Sequence, residues 1–380
     1  MIDIDTIIPA MLIDAGGTSI HIGILTAIML GGSSFAQLFF TPVLSNRPSK
    51  KGFLLLGINL RIIALIGLGL LLFWFTEKSE SSLVIWTIFI LITLFSISGA
   101  FASIGYSDIL GRSIFYEKRK SFLSLRQAVS SIGILLSAYF AAKILVVFSY
   151  PLNYSWLFIT AGLLLGIASL GFWNIKEIPG PVVAIGTLKR YLLIIANEIK
   201  ENKRLANYLL VVNTLGISLA LMPFLILYAN EMFEIDNSVV GTFLVLKVIA
   251  GVISGTLLFY YAKRIKYTFL LYATSALALV IPISLFFFSS LALLGFYFFI
   301  GGVMYTFYKV AIEGVLLEIS DHNNRTIYIG MVGAGNILPA IFPIVGGWLI
   351  PNFGFPSFFI LFSVIIALSI YFIRSLKCMN

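Results

Sequence analysis

Hydrophobic runs of about twenty residues, each closed by a short cluster of charged or turn-forming positions, recur from residue 20 to residue 373. A helix needs about 20 apolar residues to cross about 30 Å of hydrocarbon. The pattern predicts eleven full spans, near residues 20–44, 53–75, 83–109, 122–148, 152–173, 207–229, 238–261, 267–287, 290–316, 326–350 and 355–373. Ahead of them Thr6 to Ile13 is apolar but too short to cross alone, and it runs into the loop Asp14-Ala15-Gly16-Gly17-Thr18. The one long polar interruption is 174–206. Its Leu188-Lys189-Arg190-Tyr191-Leu192-Leu193 stretch, running on to Lys203-Arg204, predicts an amphipathic helix lying on a membrane face, with a solvated linker as the alternative.

Composition sharpens this picture. Of 380 residues, 60% are hydrophobic and 11% charged, and the mean hydropathy is +1.04. Soluble domains hold roughly 45–50% apolar and 25% charged residues. These figures exclude a soluble enzyme, a disordered chain and a nucleic-acid-binding module, despite a net charge of +9. The cations instead mark one side of a membrane. They cluster at Arg47, Lys50 and Lys51, at Arg112 and Lys118 to Lys120, through 174–206, at Lys263, Arg264 and Lys266, and at Arg325, Arg374 and Lys377. The opposite loops carry Glu77, Lys78 and Glu80, then Lys143, then Glu231, Glu234 and Asp236. By the positive-inside rule the basic side is cytoplasmic. A multi-pass protein of the cytoplasmic membrane, with a cytoplasmic C-terminus, is expected.

Other chemistry is sparse. The start Met1-Ile2-Asp3-Ile4-Asp5 has acids where a signal peptide needs cations, so no cleavage is expected. Cys378 is the only cysteine, and His21 and His322 are far apart, so no disulfide framework or metal site is predicted. A phosphate-binding Gly-x4-Gly-Lys-Ser/Thr loop does not occur. No cofactor and no nucleic-acid partner are expected.

The polar interruption divides residues 1–173, a partial first helix plus five spans, from the six spans of 207–380, with 174–206 as linker. The halves resemble each other. Ile22-Gly23 opening one span matches Val240-Gly241 opening another, and both spans end in short basic loops. A shift of 205 residues places Asp108 on Glu313 and Lys120-Ser121 on Arg325-Thr326. Parallel six-helix repeats with a site at their interface are a transporter architecture.

The loop Pro42-Val43-Leu44-Ser45-Asn46-Arg47-Pro48-Ser49-Lys50-Lys51 resembles the Gly-x-Leu-Ala-Asp-Arg-x-Gly-Arg-Lys loop of the major facilitator superfamily (MFS). Leu44, Arg47, Lys50 and Lys51 agree, while Pro42, Asn46 and Ser49 stand where that family has Gly, Asp and Gly. Asp108 falls where the fourth family helix carries an acid that meets this loop. Asp108-x3-Arg112 with Arg119-x6-Arg126-Gln127 is similar to a bacterial branch of the family. The resemblance implies an all-α polytopic membrane protein of two pseudo-symmetric six-helix bundles. It also implies an incomplete first helix, since a whole family helix precedes the segment resembling Ile7-Ile8-Pro9. The implied function is secondary active transport of a small solute by rocker-switch alternating access, by a lipid-embedded monomer that is not an enzyme. Arg47, Lys50, Lys51, Asp108, Arg112 and Arg126 are the implied cytoplasmic gate. Two alternatives are a transporter-like sensor or assembly partner without transport, and a polytopic lipid-modifying enzyme, which would need clustered acids or histidines that this chain disperses.

Ionisable residues within spans point to function by default. Lys309 and Glu313, four apart, share a helix face that Tyr305 extends. They read equally as a substrate or gating pair and as a structural ion pair. Lys247 lies about 14 Å into its span with no acid at i±3 or i±4. It is expected to face the cavity, with pairing to Glu313 or a carbonyl as the alternative. Arg61 is expected to snorkel or make a structural contact. Among uncharged residues, Asn336 is favoured over Asn213, Tyr228, Tyr305 and Tyr308, because Gly333, Gly335 and Pro339 permit local irregularity. The excess of deep cations leans toward an anionic or zwitterionic solute, and Glu313 makes H+ the favoured coupling ion.

Overall fold

The computed structural model describes residues 2–74, 81–113, 116–177, 187–261, 264–319, 328, 331, 333 and 336–376. The side chains of Asp108, Arg112 and Arg126 lie outside this description, as do those of Lys263, His322 and Arg325. Among the described residues all regular structure is helical: α1 (Ile7–Asp14), α2 (Ser19–Ser45), α3 (Lys51–Trp74), α4 (Ser81–Ser113), α5 (Tyr116–Val147), α6 (Leu152–Trp173), α7 (Leu188–Glu201), α8 (Lys203–Leu215), α9 (Leu221–Phe233), α10 (Asn237–Tyr261), α11 (Tyr267–Leu285), α12 (Leu291–Ile319) and α13 (Ile337–Ser375). A 3₁₀ segment, Gly216–Ala220, joins α8 to α9.

Ten helical stretches among these residues are long and apolar enough to cross a membrane. The last of them, α13, holds the final two spans read from the sequence. Its 39 residues would extend about 58 Å as one rod, nearly twice a bilayer core. The helix breaks at Gly354, whose φ of 78° and ψ of 168° are not helical, between Pro351 and Pro356. The count of spans therefore agrees with the hydrophobic pattern.

Local chemistry sets the ends of these elements. The short α1 closes in a Schellman motif: the Gly16 N–H donates to Ile13 O at 2.8 Å and the Gly17 N–H to Leu12 O at 2.7 Å. Gly16 has φ +84°, the left-handed conformation this motif requires. At the start of α10 the Asp236 carboxylate accepts from the Val239 N–H at 3.0 Å and the Ser238 hydroxyl at 2.7 Å. These bonds hold its carboxyl below the usual aspartate range.

The chain forms two compact units, residues 32–194 and residues 3–31 with 195–380. Their division falls inside two helices, between Gly31 and Gly32 in the Gly31-Gly32-Ser33-Ser34 run of α2 and between Ile194 and Ile195 of α7.

In the first unit α3 is central, packed along α4 and α6. Arg61 lies in the α3–α4 contact, its Nε donating to Phe95 O at 3.3 Å and its guanidinium 4.4 Å from the Phe95 ring centroid. The contact is structural, and the arginine does not snorkel.

In the second unit α12 packs along α10 and α11, and α13 packs on α8 and α11. The crossing of α10 and α12 is close because residue 302 is glycine. A Cβ there would fall within contact distance of the Lys247 carbonyl oxygen and 3.0 Å from Ala250 Cβ. The α1 helix packs against α9 and α10 within this unit.

Candidate functional site

The site grows from Lys247, ten residues into α10 and 8% exposed. At about 1.5 Å per residue its Cα lies roughly 15 Å from the helix start, too deep for the ammonium to reach water along the lipid face. The partners come from the segment just before α1. Lys247 Nζ lies 2.6 Å from Asp3 Oδ2 and 2.5 Å from Asp5 Oδ2. The Asp3 carboxylate also accepts from the Thr6 hydroxyl at 2.9 Å and the Asp5 N–H at 3.0 Å. Asp5 and Thr6 are buried.

One ammonium thus meets two carboxylates. In a low-dielectric interior each ion needs partners, and this trio carries a formal charge of −1.

Tyr305 of α12 lies between two lysines. Its ring centroid is 5.9 Å from Lys247 Nζ and 5.8 Å from Lys309 Nζ. Lys309 and Glu313 are exposed, and the ion pair that their spacing permits, the structural one of the two readings, does not form. The Lys309 ammonium instead sits over Tyr305, one turn toward the N-terminus, the direction in which helical side chains lean. Lys247 does not pair with Glu313. Its two aspartates also remove it from the tally of uncompensated deep cations.

Asn336 precedes α13 with φ −85° and ψ 43°, and its Oδ1 is buried without a hydrogen-bond partner. Nearby, a Cβ built on Gly216 would lie 2.9 Å from the Tyr308 hydroxyl and 3.5 Å from Asn336 Oδ1. Ser218, in the same 3₁₀ segment, is fully buried with its hydroxyl also unpartnered. Asn213 spans the helix ends, its Oδ1 accepting from the Leu338 N–H at 3.0 Å. The Ser218 hydroxyl of the interrupted α8–α9 span and the Asn336 Oδ1 near Gly216 are thus buried polar atoms without a hydrogen-bond partner.

The proposed gate residues divide. Asp108, Arg112 and Arg126 fall outside the described side chains. Arg47 is exposed in the loop before α3. For Lys50 and Lys51 the acid found is Glu177, whose carboxylate accepts from the Lys50 N–H at 2.5 Å, the Lys51 N–H at 2.9 Å and the Ser49 hydroxyl. A carboxylate at the first N–H groups of α3 meets the positive end of the helix dipole. Lys51 Nζ donates in return to Trp173 O at 2.7 Å and Ile175 O at 2.8 Å, at the end of α6. Glu177→Gln is expected to lower stability by about 1 kcal/mol. Its thermal midpoint in detergent should fall by a few degrees, and an unchanged midpoint would show that the cap contributes nothing.

Sequence reading missed Asp3, Asp5, Ser218 and Glu177 as site residues. For the aspartates a signal existed: two acids adjoin an apolar stretch, while a lysine without a local acid lies deep in another span.

The family model described as Major Facilitator Superfamily matches residues 1–309 and 210–377. No curated protein matches the sequence. Many solved structures do. A D-xylose–proton symporter superposes with a TM-score of 0.68 at 15% identity, over 93% of this chain and 87% of that one. A nucleoside transporter gives 0.67 at 14%, over 97% and 94%. The xylose transporter of E. coli, in a partially occluded inward-open conformation, gives 0.69 at 14%, over 98% and 94%. At such identities the likeness is one of fold, and it agrees with the helices and their order. The family assignment rests on the profile match across the chain: the protein belongs to the major facilitator superfamily.

Proposed function

We propose that this multi-pass membrane protein is a secondary active transporter that moves a small solute across the cytoplasmic membrane by alternating access, coupled to H+ at Asp3, Asp5 and Lys247. The observation that carries the coupling is the Lys247 ammonium held between two carboxylates, a cluster one positive charge short of neutral. A proton on either aspartate completes it. When both aspartates are ionised they bind Lys247 in α10 most strongly, and a proton weakens one of the two contacts. Asp3, Asp5 and Lys247 lie in one compact unit, and the proton favours the state of that unit in which the segment leading into α1 is held less firmly on α10.

The solute site is the polar surface of the second repeat. Lys309 with Tyr305 offers an exposed ammonium beside an aromatic face, which supports an anionic or zwitterionic solute, and Glu313 lies one turn further along α12. Asn336 and Tyr308 offer hydrogen bonds at the interrupted helix. The transport halves are residues 1–173 and 207–380, with 174–206 between them and the C-terminus cytoplasmic. Arg47, Lys50 and Lys51 act at the cytoplasmic gate, where Asp108, Arg112 and Arg126 are also assigned. The protein works as a monomer in lipid.

The test is uptake by purified protein in proteoliposomes under an imposed pH gradient, with pentoses, nucleosides, short peptides, amino acids and organic acids as trial solutes. Uptake of one class driven by an inward proton gradient is expected. Asp3→Asn combined with Asp5→Asn should abolish the gradient's effect while solute exchange across the vesicle persists, since exchange moves no net proton. Gradient-driven uptake surviving in that double variant would place the coupling elsewhere. Movement of no solute at all would favour the non-transporting, sensor-like reading.

A further inference from the structure

We propose that the outward face of α7 is a docking surface for anionic phospholipid. The helix occurs between membrane-spanning segments, with α6 ending at Trp173 and the α8–α9 span opening at Lys203. Its two faces differ in kind. Tyr191 and Ile195, one turn apart, are buried, and Glu198 on the same side accepts from the Tyr328 hydroxyl at 2.9 Å. That hydroxyl in turn accepts from Asn202 Nδ2 at 3.2 Å, so protein contacts hold this face inward.

The opposite stripe, at helical spacing, is Lys189, Leu192, Leu193, Ala196 and Lys200. All five are exposed, with Leu192 at 43% and Leu193 at 55%. Arg190 and Glu201 flank the stripe and are exposed too. Two leucines projecting between lysines suit neither a protein core nor a purely aqueous face. They suit the boundary between lipid headgroups and acyl chains, where leucines enter the apolar layer and long cationic side chains lie against the headgroups.

The charge on this face selects the lipid. Lys189, Arg190 and Lys200 face one acid, Glu201, and none of the three cations forms an ion pair among the described residues. A basic, partly apolar helix beside membrane spans is drawn to a leaflet bearing anionic lipid, and more weakly to a zwitterionic one. The positive-inside pattern assigns α7 to the cytoplasmic side, where that leaflet lies.

The experiment uses the full chain with Cys378→Ser and a single reporter cysteine, Leu193→Cys or, keeping both leucines, Ala196→Cys. Each is labelled with a polarity-sensitive fluorophore and reconstituted into vesicles of phosphatidylcholine alone or mixed equally with phosphatidylglycerol. A several-fold increase in quenching by a spin-labelled lipid is expected on adding phosphatidylglycerol, with emission shifted to the blue. High salt should reverse it, as should Lys189→Gln combined with Lys200→Gln in protein that keeps its thermal midpoint. Equal quenching in both vesicle types would show that lipid charge is not recognised. Persistent access to an aqueous quencher in both would show that the face is wet. Protection from both quenchers would mean protein covers it. Any of these three results overturns the proposal.

Discussion

Lys247→Met is expected to abolish proton-driven uptake and to lower thermal stability more than any other single change at the site. The substitution removes one ammonium and strands two carboxylates, of which Asp5 is only 5% exposed. Breaking a buried ion pair by removing one partner costs about 3–5 kcal/mol, because the other charge is left unsatisfied. The compensating variant isolates the cause. Lys247→Met with Asp3→Asn and Asp5→Asn has no buried charge in the trio and should recover most of the lost thermal midpoint. It should not recover proton coupling. Thermal unfolding in detergent and gradient-driven uptake, measured on both variants, separate the structural loss from the functional one. A single variant with normal stability and uptake would remove Lys247 from the site.

Gly302→Leu is expected to be comparably damaging, by sterics alone. Any side chain there meets the backbone of Lys247, and backbone cannot swing aside as the end of a long side chain can. Overpacking a close contact costs about 1–3 kcal/mol where neighbours can adjust, and a helix-against-helix clash belongs at the upper end. Gly302→Ala should give a smaller loss in the same direction. Because the clash falls on the residue that carries the ammonium, both variants should also weaken proton coupling, in proportion to the fall in thermal midpoint. A normal midpoint for Gly302→Leu would mean that α10 and α12 do not cross this closely.

The spans were legible because the bilayer imposes a length on every one of them, and composition records that length directly. The break at Gly354 was legible for the same reason, since no 39-residue helix fits one crossing. The depth of Lys247 also followed from counting residues along a helix. Its partners did not, because Asp3 and Lys247 are 244 residues apart and nothing periodic joins them. A charge pattern read within one helix finds i±4 neighbours only. That limit also explains Lys309 and Glu313, whose spacing permits an ion pair while the Tyr305 ring supplies a competing contact for the lysine. Glu177 escaped notice because it binds backbone N–H groups, which every residue but proline carries and no sequence motif reports.

The placement of the unit boundary within α2 and α7 has a mechanical consequence. Two continuous helices, Ser19–Ser45 and Leu188–Glu201, each belong to both compact units, so a rotation of one unit against the other must be taken up as torsion or bending along these shafts. The Gly31-Gly32-Ser33-Ser34 run is where such a shaft yields most readily. Each glycine weakens a helix by about 1 kcal/mol relative to alanine, and glycine–serine pairs are a recurrent position for sharp kinks. Hydrogen–deuterium exchange should therefore be faster at the amides of residues 31–36 than in either flank of the helix. Replacing both glycines with alanine should stiffen the shaft and slow turnover without touching a single site residue.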